Sequence, residues 1–339
     1  MLLKQIIYAV LLVIAVTTSY IFKLPDSVLI SIVMLVAGFY MLIKGADYFV
    51  DGSCDLAKKL KIPSLIVGLT IVAMGTSAPE LAVSISAAAK GSNSLAVSNV
   101  IGSNMFNILV VLGVCAAIKP IVTNPAVAKR DYPVNIGATV LFLIFIIGGL
   151  LNRWESAILL AALVIYIIVS IKVARKEQKQ AEDNAPFEFS AVKCALGIFG
   201  GIAGIVLGGN LVVEHAKFIA VKAGMSETLV GLTICAVGTS LPELVTSITA
   251  SKKGENDMAV GNVVGSCLFN TLGILGISGI ITPISTEATA LIDCIILLAI
   301  TVISYVMYMT KKQLSRSEGV TLVVLYIVYM GYIIARNYM

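Results

Sequence analysis

Two acidic residues stand where acids are rare. Glu80 and Glu243 each lie inside a long apolar run, closing the hexapeptides Gly-Thr-Ser-Ala-Pro-Glu (75–80) and Gly-Thr-Ser-Leu-Pro-Glu (238–243). Proline lacks the backbone donor and crowds the preceding turn, so each helix should break around Gly75 and Pro79, and around Gly238 and Pro242. A break frees carbonyl oxygens on the N-terminal side of the acid. Carboxylates joined by carbonyls form a hard oxygen set, and two carboxylates balance one divalent cation. Such a set suits Ca²⁺, which accepts six to eight flexible oxygens. It suits Mg²⁺ less, because Mg²⁺ sheds water reluctantly, and transition metals less again, because they favour nitrogen and sulfur.

Neutral oxygens accompany the acids. Ser103 and Asn107 are four residues apart, as are Ser266 and Asn270, so each pair shares one helix face and could serve Na⁺. The two serines could instead simply allow close helix packing. Asn99 and Asn262 are expected to brace helices. Lys44, Asp47 and Asp51 lie near the end of an apolar run, where charged heads can reach the membrane surface, and no ion role is assigned to them.

These residues recur by duplication. Residues 68–107 align with 231–270 at a constant offset of 163 without a gap, with 25 identities in 40 positions. The matches include Thr76/Thr239, Ser77/Ser240, Pro79/Pro242 and Glu80/Glu243, well beyond the Leu, Ile and Val that chance would pair.

The elements carrying them are membrane helices. The chain has 339 residues, 58% hydrophobic and 13% charged, where a soluble domain carries roughly a quarter charged. Apolar runs fall at about 5–22, 27–50, 64–89, 95–117, 134–150, 155–173, 192–220, 227–250, 257–281, 288–309 and 318–335, each near the length needed to cross hydrocarbon. The expected fold is all-α and polytopic: a ten-helix core of two inverted five-helix repeats, plus one extra N-terminal helix. The expected units are the extra helix at 1–26, a first half at 27–174, a polar linker at 175–190 and a second half at 191–339. The extra helix is read as retained, because no small-x-small cleavage site follows it.

With an inside N-terminus, seventeen of the 24 Lys and Arg residues fall inside, six outside, and Lys44 within a span. This places the N-terminus and linker in the cytoplasm and the C-terminus outside a cell membrane. An odd number of spans per half makes the second half enter from the opposite side, the arrangement that lets one site face either side of the membrane. Gly200, Gly204 and Gly208 are expected to mark a packing face, and the six cysteines to be small buried hydrophobes.

The two acidic hexapeptides, each followed by Asn-x-x-Gly-Ser-x-x-x-Asn, resemble the paired α-repeats of the Ca²⁺/cation antiporter superfamily, most closely its prokaryotic sodium/calcium exchangers. The resemblance covers nearly the whole chain from about residue 27. It implies antiport of Ca²⁺ against Na⁺ at a central diamond of sites. Ca²⁺ would be held by the carboxylates of Glu80 and Glu243 and the carbonyls of Thr76 and Thr239. One Na⁺ site would use Ala73, Thr76, Ser77 and Ser103; the other would use Ala236, Thr239, Ser240 and Ser266. Asn107 and Asn270 would form the middle position. There the chain departs from the best-known pattern, which has Asp at the position of Asn270.

H⁺/Ca²⁺ exchange and, more remotely, a passive cation channel are the alternatives within transport. No cofactor, nucleic acid or obligate protein partner is expected; the partner is the lipid bilayer. The chain lacks a P-loop, H-E-x-x-H and G-x-S-x-G, and His215 is its single histidine, so neither ATP use nor intramembrane catalysis is indicated.

Overall fold

The protein is described by a computed structural model covering residues 27–89, 93–178, 190–225, 236–310 and 313–338. The extra helix expected at 1–26 and most of the linker lie outside these residues.

Helix α1 (Val28–Leu60) starts after an extended Ser27 and ends on Lys61. Lys61 is left-handed (φ 51°) and its N–H donates to the Ala57 and Lys58 carbonyls, the usual way a helix C-terminus satisfies its last carbonyls. The apolar run that stops near residue 50 therefore continues as helix to Leu60. Nothing between 51 and 60 breaks it, buried Gly52, Ser53 and Ala57 keep one face packed, and Lys58 and Lys59 complement the negative helix end.

Helices α2 (Ser64–Thr76) and α3 (Ala78–Ala89) meet at a 49° bend. Next come α4 (93–118), α5 (Tyr132–Ile146) and α6 (Arg153–Gln178). Helix α6 runs past the expected linker start, since nothing in Arg175–Gln178 opposes helix. The second half begins with α7 (Ala191–Lys222). A short turn of helix (Ala236–Gly238) leads into α8 (Leu241–Lys252), followed by α9 (Asn256–Ile281), α10 (Ala288–Thr310) and α11 (Arg316–Tyr338). Among the described residues seven helices are long and apolar enough to cross a membrane, and the bent α2–α3 pair makes an eighth. Large apolar side chains such as Leu29, Val36, Phe199 and Ile327 stay exposed. That is the surface of a protein bathed in lipid rather than water. In the most apolar stretch of α9, 83% of residues are buried, against 11% in α11, so α9 is a central helix and α11 a peripheral one.

Packing repeats under the 163-residue offset. Two-residue bridges pair Ile121 with Leu314 and Leu151 with Ile284. Adding 163 to one member and subtracting it from the other turns the first pair into the second. The broadest helix contact is between α1 and α7, which cross antiparallel on glycine. A Cβ at Gly38 would lie 2.9 Å from the Gly208 carbonyl, one at Gly45 2.7 Å from the Ile205 nitrogen, and one at Gly52 2.9 Å from the Ile198 nitrogen. Only glycine permits backbones this close. The facing row on α7 is Gly197, Gly201, Gly204 and Gly208. The expected Gly200 is off it, since a Cβ there would meet nothing within 4 Å.

Candidate ion-binding site

The chain turns at Ser77 and again at Thr239–Ser240, two residues before each proline. Pro79 and Pro242 occupy the first turns of α3 and α8, where the missing N–H costs nothing. Pro79 cannot donate back to the Gly75 carbonyl, nor Pro242 to that of Gly238. Gly75 and Gly238 lie inside helical turns before the bends. They are sites of close approach: a Cβ would lie 2.8 Å from the Phe49 ring of α1 at Gly75 and would run into Val213 of α7 at Gly238.

Each acid follows its proline directly, so Glu80 and Glu243 sit in the first turn of a half-helix. The positive end of the helix favours a carboxylate there. Both side chains are fully buried. Each is held from the opposite half: the Ser77 hydroxyl donates to Glu243 Oε1 at 2.7 Å, and the Ser240 hydroxyl to Glu80 Oε1 at 3.0 Å. Among the described residues their other oxygens, Oε2 in both, are buried with no hydrogen-bond partner.

Neutral oxygens lie on the helices packed against the two acids. Ser103, Asn107, Ser266 and Asn270 are buried, and Ser103 Oγ, Asn107 Oδ1, Ser266 Oγ and Asn270 Oδ1 also lack partners among the described residues. Helix α3, carrying Glu80, packs on the segment of α9 around Asn270, and α8, carrying Glu243, on that around Asn107. Both segments are π-helical (Asn107–Val111 and Phe269–Ile274), with i+5 hydrogen bonds from Leu112 N–H to Asn107 O and from Leu275 N–H to Asn270 O. Such widened turns are common at functional sites. Among the described residues no three His, Cys, Asp or Glu side chains converge.

Asn99 and Asn262 brace the site. Asn99 Nδ2 donates to the Glu80 carbonyl (3.3 Å) and to Ser84 Oγ (3.0 Å). Asn262 Nδ2 donates to the Glu243 carbonyl (3.4 Å) and to Ser247 Oγ (2.9 Å). Thr76 Oγ1 lies 3.1 Å from both the Val72 carbonyl and Asn262 Oδ1. Ala73 is buried within α2, and its carbonyl accepts from the Ser77 N–H at 3.0 Å. Ala236 opens the short turn of helix before Thr239.

Sequence reasoning missed Asn104 and Thr271. Asn104 Nδ2 donates to Thr271 Oγ1 (2.8 Å) and the Cys267 carbonyl (3.4 Å), while Asn104 Oδ1 accepts from Asn270 Nδ2 (3.1 Å). Both residues occupy positions where the two halves differ: Asn104 matches Cys267, and Thr271 matches Ile108.

Fold and site thus define a polytopic membrane protein with a buried, oxygen-lined pair of carboxylates. The profile of the sodium/calcium exchanger protein family matches residues 30–172 and again 193–335, two stretches whose starts are offset by the same 163 residues. The chain belongs to that family. It is 36% identical to the putative antiporter CaxA of Alkalimonas amylolytica, covering 90% of this chain and 98% of that one. It is 30% identical to the sodium/calcium exchanger MaX1 of Methanosarcina acetivorans, covering 89% and 97%. A solved structure of the sodium-calcium exchanger NCX_Mj superimposes with a TM-score of 0.80 at 28% identity, covering 91% of this chain and all of that one.

Proposed function

We propose that the protein is a secondary active antiporter that exchanges Ca²⁺ for Na⁺ by alternating access. The observation that carries this reading is the set of six buried oxygens that have no protein partner among the described residues: Glu80 Oε2, Glu243 Oε2, Ser103 Oγ, Ser266 Oγ, Asn107 Oδ1 and Asn270 Oδ1. Leaving one buried acceptor unsatisfied costs about 1–3 kcal/mol, and more when it is charged. Six together would approach the whole stability of a typical protein, about 5–15 kcal/mol. A cation satisfies them at once, and two carboxylates fit the charge of Ca²⁺.

In this reading Ca²⁺ lies between Glu80 and Glu243 with help from the carbonyls of Thr76 and Thr239. Na⁺ takes flanking positions at Ala73, Thr76, Ser77 and Ser103, and at Ala236, Thr239, Ser240 and Ser266. Both cations share Thr76 and Thr239 and are balanced by the charge of the same two carboxylates, so they exclude one another, and that exclusion couples the fluxes. Residues 27–174 and 191–339 form two inverted five-helix halves, joined by a cytoplasmic linker. The N-terminus is cytoplasmic and the C-terminus outside. Helices α1 and α7, locked on one another by glycine, move as a pair to open the site to either side.

The test is Ca²⁺ uptake into proteoliposomes driven by an outward Na⁺ gradient at clamped pH. Uptake that follows the Na⁺ gradient is expected. Uptake that ignores Na⁺ and follows an imposed pH gradient would replace Na⁺ by H⁺ as the counter-ion. Ca²⁺ flux with unitary conductance and no counter-ion would make the protein a channel.

A further inference from the structure

The middle position is built differently in the two halves. Among the described residues Asn107 has neither its amide oxygen nor its nitrogen partnered, whereas Asn270 has Nδ2 engaged and only Oδ1 unpartnered. The difference comes from Asn104. The Cys267 backbone carbonyl can only accept, so it fixes which end of the Asn104 amide is the donor. With Nδ2 turned to Cys267 O and Thr271 Oγ1, Asn104 Oδ1 faces Asn270 and requires a donor there. Asn270 must then give its NH₂ to Asn104 and keep its oxygen free. The offset counterparts of Asn104 and Thr271 are Cys267 and Ile108, a weak donor and a hydrocarbon, so nothing equivalent orients Asn107.

We propose that Asn104 is a positioning residue that holds the Asn270 amide with its oxygen toward the transported cation and its NH₂ away from it. The inference rests on the ion site proposed above. An unrestrained amide could present either end, and an NH₂ donor aimed at a cation is repulsive. An amide locked oxygen-first is a constant neutral ligand that carries no proton. The middle position is thereby made unsymmetrical: a fixed oxygen from Asn270 faces a rotatable amide from Asn107. Every charge in the site is then left to Glu80 and Glu243.

The experiment is a double-mutant cycle on the full chain in proteoliposomes, reading Ca²⁺ KM and Vmax separately. Asn104→Leu keeps the volume and removes the acceptor. It is expected to raise the Ca²⁺ KM about tenfold, the size of one lost buried hydrogen bond, with Vmax held within about twofold. In the Asn270→Asp background, residue 270 has no NH₂ to anchor, and Asn104→Leu should no longer raise KM. An equal rise in both backgrounds would make Asn104 a packing residue and overturn the proposal, as would no rise in either. If Asn104→Leu fails to fold, the same substitution in the Asn270→Asp chain decides. Recovery there supports the amide lock, and failure in both overturns it. Glu80→Gln, run in parallel, separates the two levels. Loss of exchange in Glu80→Gln with an unchanged KM in Asn104→Leu sinks the lock alone. Retained exchange in Glu80→Gln sinks both the lock and the site.

Discussion

The hydroxyl of Ser77, in the first half of the chain, donates to the carboxylate of Glu243 in the second at 2.7 Å. Ser240 returns the contact to Glu80 at 3.0 Å. Each acid is thus oriented by the half it does not belong to, and neither half can hold a finished site alone. The proposed Na⁺ positions include the same two hydroxyls. Ser77→Ala should therefore weaken Na⁺ more than Ca²⁺, which would keep both carboxylates. One hydrogen bond to a charged group is worth about 1.5–3 kcal/mol, so the Na⁺ concentration for half-maximal exchange should rise at least about tenfold. Equal shifts for both cations would mean the hydroxyl only braces Glu243.

The charge argument gives a stricter expectation. Glu80→Gln and Glu243→Gln keep shape and remove one of the two charges that balance a divalent cation. Each variant should remain folded by size-exclusion profile, and each should lose Ca²⁺ exchange by about a hundredfold or more, since a buried ion stripped of a partner charge loses several kcal/mol. Parental exchange in either variant would remove the site assignment.

Much of this site is readable in the residue order, and the reason is duplication. Glu80 and Glu243, Ser103 and Ser266, Asn99 and Asn262 announce themselves because the same unlikely residue recurs at the same offset. Asn104 and Thr271 were invisible to that logic because they occupy positions where the copies disagree, and they pair across the halves with each other. The π-helical turns at Asn107 and Asn270 leave no signature either. A run of apolar residues reads alike whether its N–H groups reach back four residues or five. Gly75 and Gly238 belonged to the motif. Their reason, contact with Phe49 and Val213, depends on α1 and α7, which lie far away in sequence. The end of α1 at Leu60 was obscured because hydropathy falls at Asp51 while helix propensity does not.

The glycine contact between α1 and α7 offers a way to separate movement from binding. A side chain at residue 45 would meet the backbone of Ile205 and Gly201 within 2.8 Å, and backbone cannot rotate aside. Gly45→Leu should push the two helices apart, costing about 1–3 kcal/mol in stability. The nearest neighbours of that side chain are backbone atoms of α7, none of them one of the six site oxygens. Ca²⁺ binding in detergent, read by calorimetry, should therefore change much less than the exchange rate, which should fall about tenfold or more if α1 and α7 move as one body. Matching losses of binding and exchange would mean that the variant has collapsed the site.

At the end of α8, Lys253 reaches across to α1. Its Nζ lies 2.6 Å from Asp51 Oδ1, 2.9 Å from the Asp47 carbonyl and 3.8 Å from Asp47 Oδ1, while Lys44 holds the other Asp47 oxygen at 2.7 Å. Asp51 is largely exposed, and an exposed ion pair contributes about 0–1 kcal/mol, too little to hold the fold. That amount is enough to bias two conformations of similar energy by a few-fold. The pair spans the boundary between the proposed moving helices and the rest of the chain, so it forms only in conformations that bring α1 and α8 together. Lys253→Asp should shift the ratio of inward to outward Ca²⁺ affinities by about two- to fivefold while leaving thermal stability nearly unchanged. Adding Asp51→Lys should restore the ratio by rebuilding the pair with its charges exchanged. Raised salt should mimic Lys253→Asp, because screening weakens exposed pairs first. A single substitution without effect on either affinity, and no response to salt, would show that α1 and α8 keep one relative position throughout the cycle.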